Sequence, residues 1–258
     1  MQIKIAKINI ETKKTVIKAA IVVLSMLFAL ASNSIGHNVQ PAIATSTTTA
    51  NSSSTKSASS FPTSDATKLV LALRDLWVDH TGWTRNYIIS FIAGLPDTNL
   101  VAERLLKNQE DIGNAIKPFY GTQAANELTS LLKAHITGAV ELLKAAKAGN
   151  TTGAAAAEKK WYENADQIAT FLSSANPNWS KEALKSMFDN HLALTKAEAV
   201  ARLTGNYTAD IATYDKVRQE ANMMSDALVD GIVKQFPDKF SSPVSTTSAT
   251  TIPTTTTG

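Results

Sequence analysis

A histidine fourteen residues before a glycine occurs three times in this chain: His80 and Gly94, His135 and Gly149, His191 and Gly205. Fifteen residues after each glycine stands a polar residue in an apolar setting: Gln109, Asn164 and Glu220. Self-similarity at a fixed period of 55 to 56 residues constrains a fold more than composition does, because each copy must bury its apolar face against the others. Shifted by 55, Leu73, Leu76 and His80 fall on Leu128, Leu131 and His135. Shifted by 56, His135 falls on His191 and Gly149-Asn150 on Gly205-Asn206.

The apolar residues recur at helical steps, as Leu69, Leu73, Leu76, His80, Trp83, Tyr87 and Phe91 show. No stretch alternates as a strand would. The expected fold is all-α, an up-down bundle of about six helices arranged as three repeated hairpins. Gly94, Gly149 and Gly205 end the first helix of each hairpin. Pro118 and Gly121 end the second helix, Thr122 caps a third, and Thr195-Lys196-Ala197-Glu198 reads as a capping box that breaks the fifth.

Helix geometry turns the spacing into a contact map. In an antiparallel hairpin, residues equally far from the turn lie side by side. His80 is therefore expected beside Gln109, His135 beside Asn164, and His191 beside Glu220, about 20 Å below each turn at 1.5 Å per residue.

The domain organisation follows from composition. Residues 1–44 carry five lysines, an apolar run from Ala19 to Ala31 and an Ala42-Ile43-Ala44 cleavage pattern. They read as a secretory signal, or as a membrane anchor if uncleaved. Residues 45–64 and 241–258 are Ser/Thr-rich, without apolar period, and read as a disordered linker and tail. The helical domain spans 65–240, with hairpins at about 65–120, 121–176 and 177–236. Removing the five lysines and Glu11 with the leader leaves 20 basic and 21 acidic residues, a net charge of −1. The basic balance of the whole chain is thus a targeting feature and gives no nucleic-acid footprint. The absence of cysteine excludes disulfides, thiol catalysis and cysteine-ligated metals. No phosphate loop, nucleophile elbow, HExxH or dinucleotide motif is present.

Two readings of the histidines stand side by side. In the first, each hairpin repeats one structural hydrogen bond, and the protein is an exported, non-catalytic helical bundle with a binding or structural role, secreted or at the cell surface. In the second, His80, His135, His191 and Glu220 converge on a transition-metal ion, with Gln109 and Asn164 as hydrogen-bond partners of the ligands, in a sensor, storage or redox role. The Glu placements of ferritin-type and hemerythrin-type sites are missing, since Trp77, Leu132 and Phe188 precede the histidines by three and Thr84, Ala139 and Thr195 follow by four. Arg85 reads as a solvated surface charge.

The stretches Leu76 to Ile89 (LWVDHTGWTRNYII), Lys160 to Trp179 (KWYENADQIATFLSSANPNW) and Asp230 to Phe240 (DGIVKQFPDKF) resemble a family of uncharacterised all-helical proteins from bacilli and clostridia. The resemblance implies an all-helical domain over about 70–240 and a microbial origin. It implies no activity and supplies no functional residues.

Overall fold

Three left-handed glycines set the architecture. Gly94, Gly149 and Gly205 have φ of 69°, 69° and 77°, a conformation that costs a residue with a Cβ. Each closes the same pair of backbone bonds. The glycine amide reaches back to Phe91, Ala146 or Arg202, and the next amide reaches one residue further, to Ser90, Ala145 or Ala201. This is the Schellman arrangement, which satisfies carbonyls that the helix end would leave open. At Gly149 and Gly205 the following asparagine starts the next helix at once. Asn150 Oδ1 accepts from Gly153 N and Asn206 Oδ1 from Ala209 N.

The computed structural model describes residues 64–240. The expected leader, the linker up to residue 63 and the tail lie outside the described residues. Five α-helices are present among them: α1 (Asp65–Ala93), α2 (Thr98–Lys147), α3 (Thr151–Ala175), α4 (Lys181–Leu203) and α5 (Tyr207–Gln235). A short 3₁₀ turn, Pro237–Lys239, follows. The described residues contain no strand. None of these helices is long and apolar enough to cross a membrane.

The count of helices differs from the sequence expectation. The expected second and third helices form α2, which runs on through Pro118 and bends at Gly121, where φ is 80° and ψ is 176°. One residue out of the helical region redirects the axis without a loop. The capping-box pattern at Thr195 does not break α4 either, because Thr195 and Glu198 are both buried and engaged in packing.

The helices pack in ring order. α1 lies against α2 and α5, α2 against α3, α3 against α4, and α4 against α5. Inside, Leu73, Leu128 and Leu184 are buried seven residues before the three histidines, and Trp77, Leu132 and Phe188 three before. A smaller apolar cluster of Tyr87, Ile88, Leu105, Ile136 and Leu143 lies beyond them. The end of the domain opposite the glycine turns is tied by polar groups. Tyr120 OH donates to Gln235 Oε1 and accepts from Asn176 Nδ2, and Gln235 Nε2 donates to Ala175 O. Burial pushes the Tyr120 phenol up to about 12, so it stays a neutral donor.

Candidate functional site

All three expected neighbours are hydrogen-bonded. His80 Nδ1 lies 3.2 Å from Gln109 Nε2, His135 Nδ1 3.0 Å from Asn164 Oδ1, and His191 Nδ1 3.0 Å from Glu220 Oε2. The separation along the chain is 29 residues in each case. The imidazoles are buried, and they also approach one another. The His191 ring centroid is 5.7 Å from that of His80 and 6.3 Å from that of His135. Trp77 packs edge-on against His80 at 5.5 Å, and Trp161 lies 5.3 Å from His135.

The partners orient the rings. Asn164 Nδ2 donates to Leu131 O at 3.1 Å, which orients the amide and leaves Oδ1 toward the ring. His135 Nδ1 therefore carries its proton and Nε2 a lone pair. His191 Nδ1 likewise donates to Glu220 Oε2. Gln109 is turned the other way. Its Nε2 donates to Leu105 O at 2.8 Å and Asn108 Oδ1 at 3.0 Å, which uses both amide hydrogens, and His80 Nδ1 packs against the same nitrogen at 3.2 Å.

Burial keeps two of these rings neutral. It holds His80 well below the ordinary value of 6.5, with the nearby His191 and His135 adding to the effect. Burial, followed by the proximity of His191, lowers His135 to about 3. Removing water from a cation without supplying a counter-charge favours the neutral form.

These facts bear on the metal reading. The three imidazoles come together, and Glu220 meets them at His191. Its Oε2 is bonded to Nδ1 of His191, on the other side of that ring from Nε2. Gln109 and Asn164 are hydrogen-bond partners, as expected. Among the described residues, no group of three or more His, Cys, Asp or Glu side chains is arranged to hold a metal ion. Four polar atoms around the layer have no protein partner: Gln109 Oε1, Glu220 Oε1, Trp77 Nε1 and Trp161 Nε1.

A second polar cluster escapes the sequence reading. Arg85 is not a solvated charge. Its Nη1 binds Glu198 Oε1 and Asp210 Oδ1, both at 2.7 Å, and both carboxylates are buried. Arg202 Nη1 adds a contact to Asp210 Oδ2 at 3.2 Å. The Tyr214 ring covers the Arg85 guanidinium at 4.7 Å. Burial raises Glu198 to about 7, against the pull of Arg85. The cluster joins α1 to the consecutive helices α4 and α5, 113 and 125 residues further on, and no spacing rule points to it. Asp79, next to His80, pairs instead with Arg104 at 3.1 Å.

Comparison of the chain with models of protein families, with curated proteins and with solved structures finds no match.

Proposed function

We propose that this protein is an exported, non-catalytic helical bundle built from three related hairpins, with the histidines serving as structural hydrogen-bonding groups. The observation that carries this reading is the equal 29-residue spacing of the three imidazole bonds, each to the partner in its own hairpin. In this view the bend at Gly121 joins the first hairpin to the second, and the two arms of α2 belong to different repeats. A buried imidazole that is bonded to one amide or acid, at one depth, fixes the register of two helices that apolar packing alone would leave free to slide. Export rests on residues 1–44, and the protein would act on the outer face of a microbial membrane as a binding or structural module.

The experiment is metal analysis of protein purified without a tag, together with His135→Leu. The structural reading expects substoichiometric metal and a melting temperature insensitive to chelator. Near-stoichiometric metal, lost in the variant, would overturn it.

A second reading is favoured by the short distances between the rings. In it, His80, His135 and His191 hold one transition-metal ion through Nε2, with Glu220 and Asn164 orienting two of the rings from behind. It predicts that His80→Leu and His191→Leu, like His135→Leu, each abolish stoichiometric metal binding.

A further inference from the structure

The helices that carry the histidines continue toward the glycine turns. One turn beyond the imidazoles stand Thr84, Ala139 and Thr195, and two turns beyond stand Ile88, Leu143 and Ala199. All six border a single, partly open cavity of about 60 Å³. Its origin lies in the unequal third copy. Ile88 and Leu143 fill the axis from two sides, but Ala199 offers a methyl group where the third branched side chain would stand.

The exposed walls are almost all carbon, with the Thr195 hydroxyl and the Trp161 indole N–H, neither with a hydrogen-bond partner among the described residues, buried behind them. The Thr84 hydroxyl is turned back to His80 O at 2.7 Å. Lys196 borders the cavity, but its ammonium is bonded to Glu158 Oε1 at 2.5 Å. A cavity without polar lining does not hold water well and takes apolar guests instead. Size narrows the class. A cavity of about 150 Å³ accepts benzene, and this one has less than half that volume.

We propose that this axial cavity is a binding site for one small, uncharged, apolar molecule the size of a two- to four-carbon hydrocarbon, too small for an aromatic ring. The inference rests on the hairpin register proposed above, which makes Ala199 the counterpart of Ile88 and Leu143. Trp161, in the cavity wall and against His135, is a built-in reporter.

The test uses the secreted chain and three probes: xenon, propane and benzene. Amide and indole N–H resonances are followed by NMR as each probe is added. Xenon and propane should give saturable shifts at residues 84, 88, 139, 143, 195 and 199 and at the Trp161 indole, while benzene should give none. Ala199→Leu should abolish the shifts and raise the melting temperature; Ala139→Val is the milder filling variant should Ala199→Leu misfold. Unsaturable shifts, tight benzene binding, or full binding in both variants would overturn the site. If the hairpin register were wrong and a cavity nonetheless present, the shifts would saturate but centre on other residues.

Discussion

Acidification pulls the stability of this domain in two directions, and the two can be separated. His135 is held at about 3 in the folded protein, against 6.5 for an ordinary imidazole. Below pH 6.5 the unfolded chain takes up a proton that the folded one refuses. Stability from this group is complete above 6.5 and is lost as pH falls toward 3. Between pH 7 and pH 4 the loss is about 3 kcal/mol, at 1.36 kcal/mol per unit. Glu198 acts oppositely. Its folded value of about 7 lies above the ordinary 4.5. Its contribution is full below 4.5 and is lost as pH rises through 7, so going from pH 7 to pH 4 it adds about 3 kcal/mol. The two nearly cancel, and His80, lowered in the same sense as His135, tips the wild type toward acid instability. The assay is urea unfolding followed by helical circular dichroism at pH 7, 6, 5 and 4. Relative to wild type, Glu198→Gln should lose about 3 kcal/mol more across that range, and His135→Leu about 3 kcal/mol less. Parallel curves for His135→Leu and wild type would refute the claim that burial keeps this ring neutral.

Other substitutions discriminate among the remaining contacts. Arg85→Ala leaves Glu198 buried without its cation and Asp210 with Arg202 alone, and should cost about 3–5 kcal/mol in equilibrium unfolding. A Cβ at Gly231 would stand 1.9 Å from Trp179 Nε1 and within 2.7 Å of two more ring atoms. Gly231→Ala should therefore cost about 1–3 kcal/mol and shift the fluorescence of Trp179, as overpacking does. Arg74 and Asp226 form an exposed ion pair between α1 and α5. Arg74→Ala should leave the melting temperature unchanged at physiological salt, because solvent and ions screen such pairs.

The parts of the fold that counting can reach were legible in the sequence. Helical rise is constant, so equal distances from Gly94, Gly149 and Gly205 placed each histidine beside its partner without knowledge of the tertiary arrangement. The break at Gly121 was legible, but its form, a kink between two abutting arms and not a loop, was not. Pro118 and Gly121 are breaker residues, and whether they end a helix or bend it depends on what packs on either side. The Arg85 cluster was hidden for a different reason. Its bonds to Glu198 and Asp210 span 113 and 125 residues and join helices from two distant segments. The neighbourhood of Glu220 and His191 was legible too, but spacing gives proximity and not which ring nitrogen faces which oxygen.

The ring order of the helices also sets a folding sequence. Each histidine meets its partner across 29 residues, whereas α1 meets α5 through Arg85–Asp210 and Arg74–Asp226, across 125 and 152. Closing the longer loop costs about 1.4 kcal/mol more in chain entropy. Local hairpins are therefore favoured to form before the seam between α1 and α5 closes. The helix made first must wait for the helix made last. The same seam is the natural place for the native domain to open, with amide protons on α1 exchanging ahead of those at the centre of α3.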